Sequence, residues 1–382
     1  MHQENGRKSR TKRAKRGRRE RFDWWKLPWL LLIPLGLIWP RICAGRAEWI
    51  ERYYSAGVYP TVKNAASVLT SLVPISVAEL VLYALVLFTL IELFGTLVAW
   101  ALRRVNWRRV LSVVLNLGIA AGVLLNLFYF TWGFNYFRTP LQARMGLSAR
   151  AYSVTELTKL TAYLAAEANA ERALVAEDAR GVCTFTTSLQ ETLDALPLAY
   201  DALGASMPVF AGRTTRAKRV LYSEGLSWAG IAGIFVGLTG EPNINAGQPM
   251  LLIPQGAAHE MAHQLGVASE DAAEFTGHLA CLASSDPAVR YSGLVSALLT
   301  CGNALFSEDR AAYAEVRSTY CDGLKRDLAD YDAYWEAYEG PIEELSDQTN
   351  DAYLKHNAQE SGVKSYGEAV DLLLAYYGQT IR

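Results

Sequence analysis

Residues 259–263 read His-Glu-Met-Ala-His, an HExxH pentapeptide. On a helix this four-residue spacing puts His259 and His263 on one face, about 6 Å apart at Cβ, so that both imidazoles reach a single metal ion. Zinc suits two neutral imidazoles and one further protein ligand. It keeps a position for water, whose pKa it lowers to roughly 7. Glu260, beside the first ligand, is then the carboxylate that takes the water's proton. The pattern describes metal-assisted hydrolysis of the kind peptidases use.

Such a site needs a helix that starts and stops at the right places, and a third ligand. Pro254-Gln255-Gly256 reads as a breaker ahead of the motif, and Gly266 as the stop behind it. Ser269-Glu270-Asp271 opens a second helix with Ser269 as its cap. Metzincin proteases also turn the chain at a glycine three residues after the second His, and the first strong ligand after that turn here is Glu270. The run Glu270-Asp271-Ala272-Ala273-Glu274 resembles the ExxxD run of gluzincin peptidases. That resemblance implies Glu270 as third ligand and Glu274 as the acid that fixes the tautomer of a ligating His. This chain has Glu where those enzymes have Asp, so Glu274 also stands as the alternative ligand. The bland alternative is a solvated or core-packed His pair; the acids at 270 and 274, in a chain with five His, weigh against it. His278, in the helical stretch 275–283, reads as a packed or capping residue.

The composition is 51% hydrophobic with a mean hydropathy of +0.08, which points to a membrane protein with a sizeable polar part. Net charge is −1, yet residues 1–22 hold ten Lys or Arg against two Glu, leaving the remainder acidic. A basic tail directly ahead of an apolar run is a topology signal, so residues 1–26 are expected in the cytoplasm and no nucleic-acid partner is expected. Three transmembrane helices are predicted at 27–44, 74–102 and 110–134. Arg103, Arg104, Arg108 and Arg109 hold the connection 103–109 inside; residues 45–73 and 135–382 are then extracytoplasmic. Glu79 and Glu92 fall within the second span, Glu79 near enough to its end to reach the headgroups.

From about Asn135 the chain reads as a globular domain. Helical periodicity covers 153–179 and 187–203, with Ser153-Val-Thr-Glu156 as a capping box. Val220-Leu221-Tyr222 and Ile231 to Leu238 read as strands, and Gly240-Glu241-Pro242-Asn243-Ile244-Asn245 as the loop or strand facing the metal. Many zincins hold an extended peptide on such a strand by backbone pairing. Helices are expected again at 270–284, 287–305, 308–330, 331–338, 349–357 and 365–378. The fold class is α+β, mainly helical: three N-terminal spans followed by a zincin-like metallopeptidase domain. Cys183, Cys281, Cys301 and Cys321 lie in the outer domain, where two disulfides or buried thiols fit equally well, and Cys43 lies at the first span.

Taken together, these features resemble the bacterial membrane family known as domain of unknown function 3810. The resemblance rests on the three spans, the segment Tyr53-Tyr54-Ser55-Ala56-Gly57-Val58-Tyr59-Pro60, the run 240–245, His259 to Gly266 with Glu270, Asn350 to Lys355, and Ser365-Tyr366-Gly367. The family pattern has Asn in place of Glu274 and an acid in place of Ala272, which leaves Glu270 as the better ligand. It implies a zinc peptidase acting on a peptide or protein, with Zn2+ as cofactor and the lipid bilayer as its other partner. Zincins place a Tyr, His or Arg beside the metal to stabilise an oxyanion, and Tyr353 and His356 have the chemistry for it. The competing expectation is a catalytically silent membrane protein whose outer domain binds a protein or cell-envelope component.

Overall fold

The computed structural model describes residues 23–147, 152–357, 359, 369–378 and 380; the basic tail 1–22 and Ser365-Tyr366-Gly367 lie outside them. Three helices are long and apolar enough to cross a membrane: Trp24–Cys43, Val77–Ala101 and Trp107–Thr131. The first opens as a 3-10 helix over Trp24–Leu31, with Pro28 inside it. The chain is mainly helical and divides into two compact units, residues 1–38 with 81–127, and residues 39–80 with 128–382.

In the first unit small residues let the spans approach. A Cβ at Gly122 would lie 2.9 Å from Leu32 Cβ and 3.1 Å from Ile33 N, so the third span meets the first almost backbone to backbone. Asn126 Nδ2 donates to Leu32 O at 2.7 Å beside that crossing. Glu92 is paired with Arg109 at 2.9 Å, which accounts for an ionisable side chain on the second span.

In the second unit the helices Val154–Arg172, Leu189–Ser206, Ile253–Gln264, Glu270–Leu282 and Pro287–Glu308 surround an apolar core that includes Leu160, Leu164, Leu193, Leu196, Phe275 and Leu298. The predicted capping box is present, Ser153 Oγ accepting from Glu156 N at 3.2 Å, but the helix stops at Arg172 rather than 179. Residues 176–177 (β1) then pair with residues 183–184 (β2). Asp309 and Cys321 cap two separate helices, Arg310–Ser318 and Asp322–Glu336, where one helix over 308–330 is expected from sequence. Pro341–His356 forms a longer helix than 349–357. Cys43, Cys183, Cys281, Cys301 and Cys321 are all free thiols.

A three-stranded sheet lies beside the motif helix, with β5 (Glu241–Ile244) central, β3 (Lys218–Arg219) parallel to it and β4 (Gly233–Val236) antiparallel at the edge. The run 240–245 is thus a strand, while Val220 to Tyr222 is not: the Leu221 and Tyr222 N–H groups donate to the Glu79 carboxylate at 2.6 and 3.0 Å. Glu79 is therefore not a headgroup contact but a backbone acceptor. The sheet is tied to the start of the second span a second time. Glu241 accepts from Val77 N at 3.2 Å and Ala78 N at 2.8 Å, capping that helix, and is paired with Lys218 at 2.5 Å. Lys218 also donates to Thr70 O at 2.6 Å.

Lys218 and Glu241 are 4% and 2% exposed, so removing one charge strands the other in a buried place, which costs roughly 3–5 kcal/mol. Glu241→Gln is expected to lower the thermal unfolding midpoint of the detergent-solubilised protein, and a double Lys218→Met/Glu241→Gln variant to recover part of the loss. Unfolding at the wild-type temperature by the single variant would show the pair to be inessential.

Candidate metal centre

The motif helix runs over Ile253–Gln264. The expected breaker lies inside it, because Pro254 sits in the first turn, where its missing N–H has no helical partner to lose, and Gln255 and Gly256 continue the helix. The stop is where sequence places it: Gly266 has φ 79°, a left-handed conformation that favours glycine. Ser269 occupies the cap position of the next helix, Glu270–Leu282, without making a side-chain capping bond. The two helices cross closest at Gly277, where a Cβ would stand 3.0 Å from His259 N. That crossing brings Glu270 over the His pair.

His259 Nε2 lies 3.1 Å from His263 Nε2 and 3.1 Å from Glu270 Oε2, and the third edge, His263 Nε2 to Glu270 Oε2, is 3.6 Å. An ion bound tetrahedrally at about 2.0–2.1 Å to each requires edges of about 3.3 Å. The triangle fits. The outer nitrogens settle which atoms face inward. His263 Nδ1 is 2.7 Å from Val267 O, a pure acceptor, and His259 Nδ1 is 3.4 Å from Glu274 Oε2, so each Nδ1 carries a hydrogen and each Nε2 faces the centre, where it can offer a lone pair to an ion that displaces any proton held there. Two imidazole nitrogens and a carboxylate oxygen thus face one point, the donor set of a borderline cation such as zinc.

Glu274 stands behind His259 and not in the triangle, held by the Ser296 hydroxyl. The charge balance agrees with this placement. Burial opposes a charge on His259, but its bonds to Glu270 and Glu274 outweigh burial and hold the imidazole well above the usual histidine range. Burial likewise opposes charge on Glu270, yet His263 and His259 hold that carboxyl far below the usual range. The cluster attracts positive charge.

Glu260 is buried against the edge strand. A Cβ at Gly233 would come within 2.7 Å of Glu260 Cγ and 2.8 Å of Oε1, so the carboxylate fits only beside a glycine. Burial raises its pKa above the glutamate range against the pull of His259 and His263. His278 is a packed residue, with Nδ1 2.9 Å from Gly293 O and Nε2 2.9 Å from Tyr377 Oη. Of the two oxyanion candidates, Tyr353 is partly exposed, with its hydroxyl 3.1 Å from Tyr136 Oη. His356 is exposed at the end of the same helix.

The last carbonyls of the motif helix are received by residues that sequence reasoning does not connect with the site. Trp132 Nε1 donates to His263 O at 3.1 Å, and its ring stands edge-on to the imidazole at 5.7 Å. Tyr59 Oη donates to Gln264 O at 3.1 Å, and Arg138 Nη1 to Gly266 O at 2.8 Å while paired with Glu51 at 2.6 Å. Tyr59 belongs to the Tyr-rich segment 53–60, which was legible only as a resemblance. Nothing in local sequence marks Trp132 or Arg138.

His259→Ala, His263→Ala and Glu270→Ala are each expected to abolish stoichiometric zinc in elemental analysis of the purified protein. Glu274→Ala is expected to retain zinc with an affinity lower by roughly 10–100-fold in chelator competition, the usual cost of losing a hydrogen-bond partner behind a ligand. A zinc-free Glu274→Ala beside a zinc-replete Glu270→Ala would exchange the two roles.

No curated protein and no solved structure matches the chain. A family model described as protein of unknown function (DUF3810) matches residues 54–374, a stretch that holds the triangle, Glu260, Glu274 and the residues that cap the motif helix. Because that match covers most of its length, the chain belongs to the DUF3810 family.

Proposed function

We propose that this chain is a membrane-anchored, zinc-dependent metallopeptidase with a zincin-like outer domain. The observation that carries the reading is the triangle of His259 Nε2, His263 Nε2 and Glu270 Oε2 with the carboxylate of Glu260 left beside it for another task. Zinc bound there lowers the pKa of a water and polarises a carbonyl. Glu260 accepts the proton of the attacking water and returns it to the leaving amine. β4, an edge strand, offers backbone pairing to an extended peptide next to Glu260. Tyr353 is the donor closest in role to an oxyanion stabiliser.

The orientation follows from charge. Arg103, Arg104, Arg108 and Arg109 stay in the cytoplasm with the basic N-terminus, which puts the metal centre outside. Alkaline phosphatase fused after residue 140 is expected to be active and after residue 105 inactive; the reverse pattern would overturn this topology.

Glu260→Gln keeps the side-chain length but accepts no proton. It is expected to retain zinc and to lose peptide hydrolysis by a factor on the order of 10² or more on a mixed peptide library. Equal cleavage by the variant and the wild type would remove Glu260 from the reaction. No cleavage by zinc-loaded wild type would favour the binding-module reading.

A further inference from the structure

We infer that the substrates are polypeptides anchored in the same membrane, cut in the segment that emerges from the bilayer on the side of the metal centre. The inference rests on the peptidase reading above and adds to it the class of substrate.

The distance from the membrane to the metal centre carries the argument. The third span, Trp107–Thr131, has 25 residues, hence a length of about 37 Å against a hydrocarbon core of about 30 Å. Its last turn therefore lies at the hydrocarbon boundary. From that turn a chain of rings leads to the site: Phe128 to Trp132 at 6.1 Å, then Trp132 to His263 at 5.7 Å. The metal ligand is thus at most about 12 Å from a residue of the span, a length that an extended chain covers in about four residues. The headgroup layer on one side of a bilayer is itself roughly 5–8 Å thick.

The edge strand shares this position. Phe235 of β4 packs on Trp132 at 5.8 Å, and a Cβ on Gly237 would come within 2.3 Å of Trp132 Cβ, so the hairpin that follows β4 rests on the first residue after the span. A second tether joins the same sheet to the start of the second span, where Glu79 accepts from Leu221 N and Tyr222 N. Those two side chains remain 60% and 59% exposed, and Ile234 of β4 is 44% exposed. Apolar side chains this open suit headgroups and upper acyl chains better than water.

These distances favour one kind of substrate over another. A folded soluble protein presents a cleavable loop in water, and to reach this site it must bring that loop to within about 12 Å of the end of a span, close to the headgroup layer. A membrane-anchored polypeptide necessarily threads that layer, and its first residues beyond the span lie at the distance from the bilayer at which β4 stands.

The test uses the full chain, zinc-loaded, in proteoliposomes. One randomised twelve-residue library is supplied in three forms: directly after the single span of a co-reconstituted carrier, after the same span with a 30-residue Gly/Ser spacer, and free in solution. Cut sites are read by mass spectrometry. The expected result is cutting concentrated within about six residues of the span, with at least tenfold slower cleavage of the spaced and free libraries. The spaced carrier is equally concentrated at the membrane, so its slower cleavage reports the position of the site and not mere tethering. Equal cleavage of all three forms, with loss in Glu260→Gln, would overturn the inference and leave the peptidase reading standing. Cleavage absent from every form, or unchanged in Glu260→Gln, would overturn the reading and the inference together.

Discussion

Two imidazole nitrogens and a carboxylate oxygen that face one another within 3.1–3.6 Å in a buried place repel unless a positive charge lies between them. Much of the second unit is arranged to enforce that confrontation. The motif helix fixes the His pair by spacing alone, but the direction of each lone pair is set from outside, by Val267 O and by Glu274. Glu270 reaches the His pair because the next helix crosses at Gly277, where the absence of a side chain permits contact with the backbone of His259. Each device would be a needless constraint in a core that merely packed two histidines.

The same helix is short, twelve residues, and an isolated helix of that length has little stability of its own. Its stability comes from neighbours. Tyr200 Oη donates to Ala258 O at 2.5 Å, and Trp132, Tyr59 and Arg138 take up carbonyls at its C-terminal end. Three of those four donors come from segments next to membrane spans. The end of the third apolar helix and the His pair are therefore structurally coupled, and a shift of that helix's last turn acts on His263 through a single residue, Trp132.

The candidate site was more legible in the sequence than the architecture around it. The His pair, Glu260, Glu270 and the Gly266 stop depend on local spacing, and local spacing is what a sequence displays. The three spans were legible for the same reason. Contacts made across large separations were not. Lys218 and Glu241 become a pair only when β3 lies parallel to β5, and Glu79 becomes an acceptor for Leu221 and Tyr222 only once the second span abuts that loop. This also explains why 220–222 reads as a strand: its apolar pattern is real, but its N–H groups are spent on a carboxylate. The helix expected over 308–330 fails at two residues whose side chains cap better than they continue, Asp309 and Cys321.

Glu274 shows how a departure from a known pattern can be absorbed. The acid behind a ligating His is Asp in gluzincins, and the longer Glu needs restraint if it is to stop short of the metal. Here the Ser296 hydroxyl holds it, leaving a 3.4 Å contact to His259 Nδ1. No comparable restraint serves a packing role for Glu260, whose carboxylate is buried with a glycine cut away to admit it. A buried ionisable group of that kind costs stability on the order of kilocalories per mole. A binding module would be more stable with an apolar residue at position 260 and a side chain on residue 233, whereas a hydrolase requires both the carboxylate and the space it occupies.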